Sequence, residues 1–246
     1  MKRLGPTISI TLATVMLFAT LLSCNIGKTE EQTNLFDQYY TIEPTSLLDS
    51  LKRGEMAFTP VSQRPELLPV DQKVPVNWHQ ADYFYIANAL YEGVLGKTLQ
   101  GWQLSSMDFA LGCSKVQNGF QNGRFGFFSI VKDNDQETRL ERFIDIDPSN
   151  NFVNVSETKY SPKLIDLKSI DMAQLNISAD QALQIAESNG GEEKRASVKN
   201  ACSISLALTL DRTNKWYWDV FYTRHDDRTL FFDILIDPYT GEIRSS

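Results

Sequence analysis

Histidine and cysteine are the scarce reactive side chains of this 246-residue sequence, which contains two histidines and three cysteines. His79 and His225 belong to no His-Glu-x-x-His motif, and the cysteines form no Cys-x-x-Cys pair, so the spacing typical of a zinc site is missing. The sequence also has no Gly-x-Ser-x-Gly elbow for a nucleophile and no glycine-rich phosphate loop. We therefore expect no catalytic residues, no metal and no cofactor, and a protein that is not an enzyme.

Cys113 and Cys202 fall in two segments whose apolar residues alternate with polar ones, as in strands. Cys113 shares its parity with Phe109 and Leu111, and Cys202 shares its own with Ile204, so both thiols are expected to face a core. Two interpretations are open: a pair of buried free thiols, or a disulfide, which an oxidising compartment would permit. If the two segments belong to separate cores, the equivalent facing of the thiols favours the first interpretation.

Cys24 follows a stretch with the features of an export signal. A basic start at Lys2 and Arg3 precedes an apolar stretch over 8–22, which is shorter than the roughly 20 apolar residues of a spanning helix. The stretch ends in Leu-Leu-Ser-Cys, which resembles the lipobox of bacterial lipoproteins. The resemblance implies cleavage after residue 23, acylation of Cys24, and anchoring of an extracytoplasmic protein to the cell membrane or outer membrane. An ordinary cleaved signal peptide and an uncleaved N-terminal helix are the alternatives.

The charge balance argues against two classes of partner. Removal of residues 1–23, which include two basic and no acidic residues, leaves 22 basic and 31 acidic side chains, a net charge of −9. Proteins that bind nucleic acid carry a basic surface. Proteins that attach to anionic lipid only through their charge carry a basic patch. The composition predicts neither, so acylated Cys24 is the expected contact with a lipid bilayer.

The chain after the signal is predicted to be an extended linker followed by two similar modules. Residues 24–77 are predicted to be a polar tether, a short helix and a proline-rich segment. Residues 78–160 and 168–246 each show a helical pattern, three strand-like segments and an Asp-Pro turn. The two Asp-Pro turns are 90 residues apart, and the same spacing pairs apolar residues of the second and third strands. We expect an internal duplication and an α+β fold of two tandem modules, each a helix plus a three-stranded antiparallel sheet.

The second module resembles the PepSY family. The residues that carry the resemblance are the capped helix over 178–186, the strand segment Trp218-Asp219-Val220 and the turn segment over 236–243 with its Asp-Pro-Tyr-Thr-Gly sequence. They match the family's Ala-rich helix, Trp-x-Val strand and Asp-x-x-Thr-Gly turn within residues 175–246. The first module shares this pattern only in outline. The resemblance implies a cystatin-like, extracytoplasmic, non-catalytic module that binds and restrains peptidases.

Apolar side chains occupy both faces of the last strands. The strand over 216–222 places Trp218 on one face and Tyr217 on the other. A sheet that is apolar on both faces needs two covers, and a single helix supplies only one. The second face then packs against the sister module or the proline-rich segment, or binds a partner, and internal packing is the interpretation we favour. Its residues are Tyr217, Phe221, Phe231 and Leu235 in the second module and Phe127 and Val131 in the first.

Together these features predict a membrane-anchored extracytoplasmic lipoprotein that acts as a non-catalytic module, either binding a protein or peptide or regulating a peptidase. The expected partners are the bilayer, through Cys24, and a secreted peptidase or another envelope protein, with no nucleic acid. The alternative is an envelope structural component or a small-ligand sensor, which would need an apolar pocket between the modules.

Overall fold

Ten strands form one sheet in the computed structural model of the chain. The structure describes residues 30–69, 72–93, 101–133, 136–161, 163, 165, 167–211 and 213–244. Cys24 and the predicted signal sequence lie outside the described residues. Within the described ranges, every helix is too short or too polar to cross a bilayer.

Strands are the most abundant element of the described chain, and four helices are inserted among them. The strands are β1 (Glu31–Thr41), β2 (Thr59–Val61), β3 (Gln103–Gly112), β4 (Asn122–Asp133), β5 (Gln136–Asp147), β6 (Phe152–Ser161), β7 (Cys202–Leu210), β8 (Trp216–Arg224), β9 (Leu230–Ile236) and β10 (Ile243–Arg244). The helices are α1 (Leu47–Lys52), α2 (Gln80–Gly93), α3 (Ala179–Ala186) and α4 (Glu192–Ser197).

The sheet runs without a break through both predicted modules, in the order β10-β9-β8-β7-β3-β4-β5-β6-β1-β2. β3 and β7, the first strands of the two modules, pair with each other from Asp108–Ala207 to Gly112–Ser203. In separate modules each of these strands would be an open edge, and their antiparallel pairing satisfies both rows of backbone groups. The prediction of two tandem modules with three-stranded sheets of their own is therefore wrong, because one antiparallel sheet of ten strands contains both.

The segment predicted as a tether contributes to this sheet. β1 pairs with β6 from Glu31–Ser161 to Thr41–Phe152, and β2 pairs with the last three residues of β1. The backbone groups along the outer side of β6 need partners, and β1 supplies them. Only the residues before Glu30 remain as the predicted tether, and they lie outside the described residues.

One side of the sheet, called here the covered face, packs against α2 and α3. Tyr83 and Leu90 of α2 are fully buried there, as are Trp218 and Tyr222 of β8. They belong to a single apolar core that extends through both halves of the sheet. The starts of the two helices also touch, since the backbone N–H of Ala179 donates to Gln80 Oε1 at 2.6 Å. The opposite side, called the open face, has no helix packed on it in the described residues.

α3 begins with the capping box that the sequence predicts. Ser178 Oγ accepts a hydrogen bond from the backbone N–H of Gln181, and the Gln181 side chain accepts one from the backbone N–H of Ser178. The helix is interrupted at Asn189 and Gly190, where Gly190 has φ of +111°. Glycine adopts this backbone conformation without the penalty that a Cβ brings, which explains why the chain turns there before α4.

The 90-residue spacing matches the third strands of the two halves but not the second. Ile144 and Ile234 both face the core. Phe128 and Trp218, which the same spacing pairs, lie on opposite faces. Phe125 contacts Phe84 of α2, with ring centroids 5.6 Å apart, so alternation directs Phe128 to the open face, whereas Trp218 is on the covered face. A one-residue difference in register exchanges the faces of a strand, and the internal duplication stays a prediction.

Candidate functional site: the open face of the sheet

A row of mostly polar side chains crosses the middle of the open face. The register of the strands places these residues side by side from β1 to β10: Tyr39, Asn154, Asp145, Arg124, Asp108, Ala207, Asp219, Leu235 and Arg244. Neighbouring strands lie about 4.8 Å apart, so charges on adjacent strands interact directly. A groove of about 600 Å³ lies over the central part of this row.

Arg124 occupies the centre of the groove. Its Nε lies 3.3 Å from Asp145 Oδ1, and its guanidinium lies over the ring of Phe143, 4.4 Å from the ring centroid. On the other side, Arg124 is the register partner of Asp108 in β3. One half-exposed cation therefore lies between two carboxylates, with an aromatic ring beneath it.

The carboxylates of the row are incompletely compensated. Burial raises the pKa of Asp108 and of Asp145, and neighbouring carboxylates raise both further, while Arg124 opposes the shift. Burial, followed by the charge of Asp233, also raises the pKa of Asp219. Because the ionised forms are disfavoured, a donor or cation from a bound molecule would stabilise these groups more than it would an ordinary surface carboxylate.

The proline-rich segment forms one border of the groove. The backbone N–H of Leu68 donates to Asn150 Oδ1 at 3.0 Å, and Asn150 Nδ2 donates to Asp147 Oδ2 at 2.7 Å. These bonds hold the segment against the turn between β5 and β6. The guanidinium of Arg64, from the same segment, lies 5.9 Å from the centroid of the Phe152 ring. The segment therefore has fixed contacts with the sheet and lines the site.

The structure separates the six residues predicted as one packing or partner surface. Tyr217, Phe221 and Leu235 are on the open face, because they alternate with residues buried on the covered face. Phe221 lines the groove, whereas the guanidinium of Arg244 lies 5.2 Å from the centroid of the Tyr217 ring. Phe221 is thus the predicted residue that the structure brings to the candidate site.

The other three predicted surface residues lie elsewhere. Phe127 is buried in the core on the covered face. Phe231 packs edge-on against Tyr222, with ring centroids 6.3 Å apart. Val131 lies near the C-terminal end of β4 and is 38% exposed. The 90-residue spacing groups Phe127 and Val131 with Tyr217 and Phe221, and it thereby assigns β4 to the wrong face of the sheet.

Cys113 and Cys202 are joined by a disulfide, with their Cα atoms 5.3 Å apart. Both residues are buried, one just after the end of β3 and the other at the start of β7. The preference for free thiols assumed two separate cores. Because β3 and β7 are antiparallel neighbours in one sheet, equivalent facing brings the two sulfur atoms together.

The two histidines lie outside the groove. His79 Nδ1 is 2.7 Å from Asp180 Oδ1, a contact between the starts of α2 and α3. His225 Nε2 is 3.0 Å from Ser203 Oγ. A serine–histidine pair acts as a nucleophile when a third group orients the imidazole, and no such group bonds to the other ring nitrogen among the described residues. Across the same described ranges, His, Cys, Asp and Glu side chains form no group of three or more suited to a metal ion.

Sequence reasoning missed Asp108, Arg124 and Asp145. Each occupies a polar position of an alternating strand, where a solvent-facing side chain is the ordinary expectation. Only the register across the strands brings them into one row, and the residues of a single strand do not specify register. The hairpin of β4 and β5 was the available signal, since pairing its two strands from the turn outward aligns Arg124 with Asp145.

The last part of the chain has a recognisable family. Residues 176–246 match the family model described as "Peptidase propeptide and YPEB domain". They form a PepSY domain. This domain contains α3, α4 and β7–β10, so it supplies four of the ten strands and, through Phe221, part of the groove. The PepSY resemblance noted at Trp218 and at the Asp-Pro-Tyr-Thr-Gly turn is confirmed for this part of the chain.

Solved structures resemble the whole chain only weakly. The full-length peroxisomal multifunctional enzyme type 2 from Drosophila melanogaster shares 10% identity, over 98% of this chain and 51% of that one, with a TM-score of 0.20. The chain thus spans about half the length of that enzyme. The dehydratase domain from the CurK module of Curacin polyketide synthase shares 12% identity, over 89% and 91% of the two chains, with a TM-score of 0.22. Likeness at this level supports no statement about fold or activity. No curated protein matches the sequence.

Proposed function

We propose that this chain is a lipid-anchored extracytoplasmic protein that binds a segment of a partner polypeptide on the open face of its sheet and thereby restrains a secreted peptidase or another envelope protein. The observation that carries the proposal is the groove in which Arg124 lies between Asp108 and Asp145. The PepSY domain that forms part of this groove supports a propeptide-like, regulatory role.

The groove suits a polypeptide because it offers both kinds of hydrogen-bonding group next to aromatic surface. Asp108 and Asp145 accept hydrogen bonds from backbone N–H groups or from Lys and Arg side chains. Arg124 donates to carbonyl or carboxylate groups, and Phe221 offers a ring for apolar side chains. Binding through these groups requires neither a nucleophile nor a metal.

A binding assay with matched charge variants tests this role. Arg124→Ala removes the central cation, while Arg53→Ala removes an arginine that also pairs with a carboxylate, Glu55, at 2.7 Å but lies on a different part of the surface. We expect the purified protein to slow secreted peptidases or to bind immobilised extended peptides, and Arg124→Ala to weaken either effect at least as much as the loss of one charge-assisted hydrogen bond, about tenfold. Arg53→Ala should match the parent. The proposal fails if the parent neither binds nor inhibits, or if both variants lose the effect equally.

The anchor is tested separately. Acylation of Cys24 predicts that Cys24→Ser moves the protein from the membrane fraction to the soluble fraction. Two or three acyl chains hold a protein stably, and the net negative charge of the chain would not attract it to anionic lipid in their place. Continued sedimentation of the variant with the membrane would instead indicate an uncleaved N-terminal helix.

The groove volume also favours a second candidate, a small-ligand sensor. A volume of about 600 Å³ lies in the range of small-molecule sites. The two functions differ in their ligands: a sensor predicts that a small solute raises the melting temperature of the parent and not of Arg124→Ala, whereas polypeptide binding predicts this difference for peptides.

A further inference from the structure

We propose that one corner of the sheet lies against the bilayer, an inference that rests on the proposed acylation of Cys24. The corner, called here the anchor corner, is where β1 begins and where β4 approaches its hairpin turn. Five exposed apolar residues define it: Leu35, Phe36, Ile130, Val131 and Ile165.

The strand register aligns Ile130 with the start of β1, and Leu35 and Phe36 follow three and four residues after that point in β1. Ile130 of β4 lies in a row with Arg139, Tyr160 and Gln32, which belong to β5, β6 and β1. Arg139 Nη1 donates to the carbonyl of Ile165 at 2.8 Å, which fixes Ile165 beside the same row. The apolar residues near the β4 turn are therefore about three strand spacings, or roughly 14 Å, from the start of β1.

These side chains are exposed although they are large and apolar. Ile165 is 56% exposed and Leu35 48%, while Phe36, Ile130 and Val131 are 37–38% exposed. Ile130 and Val131 are consecutive in β4, so they point to opposite faces, and neither face buries its residue. Several large apolar side chains exposed at one corner of a sheet indicate a surface that something else covers.

Among the described residues, nothing pairs with the outer edge of β1 before Tyr39. β2 pairs only with the last three residues of β1, from Tyr39 to Thr41. A β-bulge between Asn34 and Phe36 leaves Leu35 without a partner in β6. The bulge hinders the pairing of this edge with another strand, but it leaves the apolar side chains of Leu35 and Phe36 exposed, so they still need a cover.

The short length of chain between Cys24 and β1 favours lipid as the cover. Six residues after Cys24 the chain reaches Glu30, a span of at most about 21 Å when fully extended. An acylated Cys24 would hold the start of β1 within that distance of the membrane surface. The row that contains Arg124 reaches β1 at Tyr39, roughly 22 Å farther along the strand from Gln32, so the groove stays accessible to a partner.

Charge argues against a second copy as the cover. The free edge of β1 carries Glu31 and Asp37 and no cation, so two such edges side by side would bring four carboxylates together. At the anchor corner, Lys163 pairs with Glu137 at 3.0 Å, which balances charge near the turn of β4 and β5.

Depth-dependent fluorescence quenching tests the orientation. The full-length acylated protein has no free thiol when Cys24 is acylated and the other two cysteines are bridged. Val131→Cys therefore accepts a single environment-sensitive label at the anchor corner. Leu67→Cys is the matched control: Leu67 is an exposed leucine, 59% accessible, in the proline-rich segment near the opposite end of the sheet.

Each labelled protein is reconstituted in vesicles of phosphatidylethanolamine and phosphatidylglycerol that carry a nitroxide-labelled lipid. We expect quenching of the label at position 131 and none at position 67. Adding Leu35→Ser and Phe36→Ser should reduce the quenching at 131 without changing vesicle attachment. Equal quenching at both positions, or quenching at neither, would overturn the inference. It would also be overturned if the label at position 131 became less quenched as the protein concentration rose, because a second copy of the protein would then be the cover.

Vesicle flotation separates this inference from the proposed anchor. If the parent floats with vesicles and Cys24→Ser does not, the anchor stands, and the quenching pattern decides the orientation alone. If Cys24→Ser floats as well as the parent, the acyl anchor fails whatever the labels report.

Discussion

Removal of the Cys113–Cys202 disulfide is expected to destabilise the protein by about 4.5 kcal/mol. The bond closes a loop between residues 89 positions apart, and the loop-entropy relation gives that value for a loop of this size. The bond also supports the junction between the two halves of the sheet, where β3 and β7 share five register pairs, whereas β4 and β5 share eleven. Domains are stable by roughly 5–15 kcal/mol, so the double variant Cys113→Ala with Cys202→Ala should unfold at a much lower urea concentration.

The assay is urea unfolding in a Cys24→Ser background, followed by tryptophan fluorescence, because Trp218 is fully buried in the core. Loss of the cross-link lets the unfolded chain expand, so the slope of free energy against urea should also rise. Leu111→Ala is the control: this buried truncation should cost about 2–5 kcal/mol through its cavity, with the slope unchanged. The reasoning is refuted if the double variant keeps both the slope and the stability of its parent to within about 1 kcal/mol.

Three further substitutions give independent checks, each by urea unfolding. Ser178→Ala removes the cap of α3 and should cost about 1 kcal/mol. Gly123→Ala would place a Cβ 2.7 Å from Tyr83 Cδ1 and should cost roughly 1–3 kcal/mol, whereas Gly93→Ala, with open space around it, should be tolerated. Burial raises the pKa of Asp219, so the folded state binds this proton more tightly than the unfolded chain, and stability is lost as the pH rises through the raised pKa. Asp219→Asn should therefore stabilise the protein by roughly 0.5 kcal/mol at pH 7 and flatten the pH dependence above the ordinary Asp pKa of about 3.9. No change in that pH dependence would count against the assignment.

Local elements could be predicted from the sequence because local chemistry determines them. The capped helix expected over 178–186 is α3, Ala179–Ala186, and the strand expected over 216–222 is β8, Trp216–Arg224. Alternation of apolar residues marks a strand wherever one face is buried, and the cap at Ser178 marks a helix start without reference to the rest of the chain. These local signals predict the elements correctly because no distant contact overrides them.

The assembly of the elements could not be predicted in the same way. β1 has mostly exposed side chains, and it forms a strand because β6 offers it a row of backbone partners. The union of β3 with β7 likewise depends on two edges that are far apart in the sequence. The candidate site is difficult to predict for the same reason. The sequence identifies Phe221 as an apolar residue on the second face of its strand, whereas only the register between β4 and β5 places Arg124 beside Asp145.

The pairing of β3 with β7 also limits how the PepSY domain can meet a partner. A module of this kind standing alone would have an open edge at β7, but that edge is occupied by β3 and fixed by the disulfide. β10 covers only Leu235 and Ile236 of β9, which leaves the earlier part of β9 as the free edge of the domain. The open face differs from both edges, because its groove draws Phe221 from the PepSY domain and Arg124 from the other half. A partner bound there contacts both halves at once, so residues 176–246 alone should bind it more weakly than the whole chain, even where they fold.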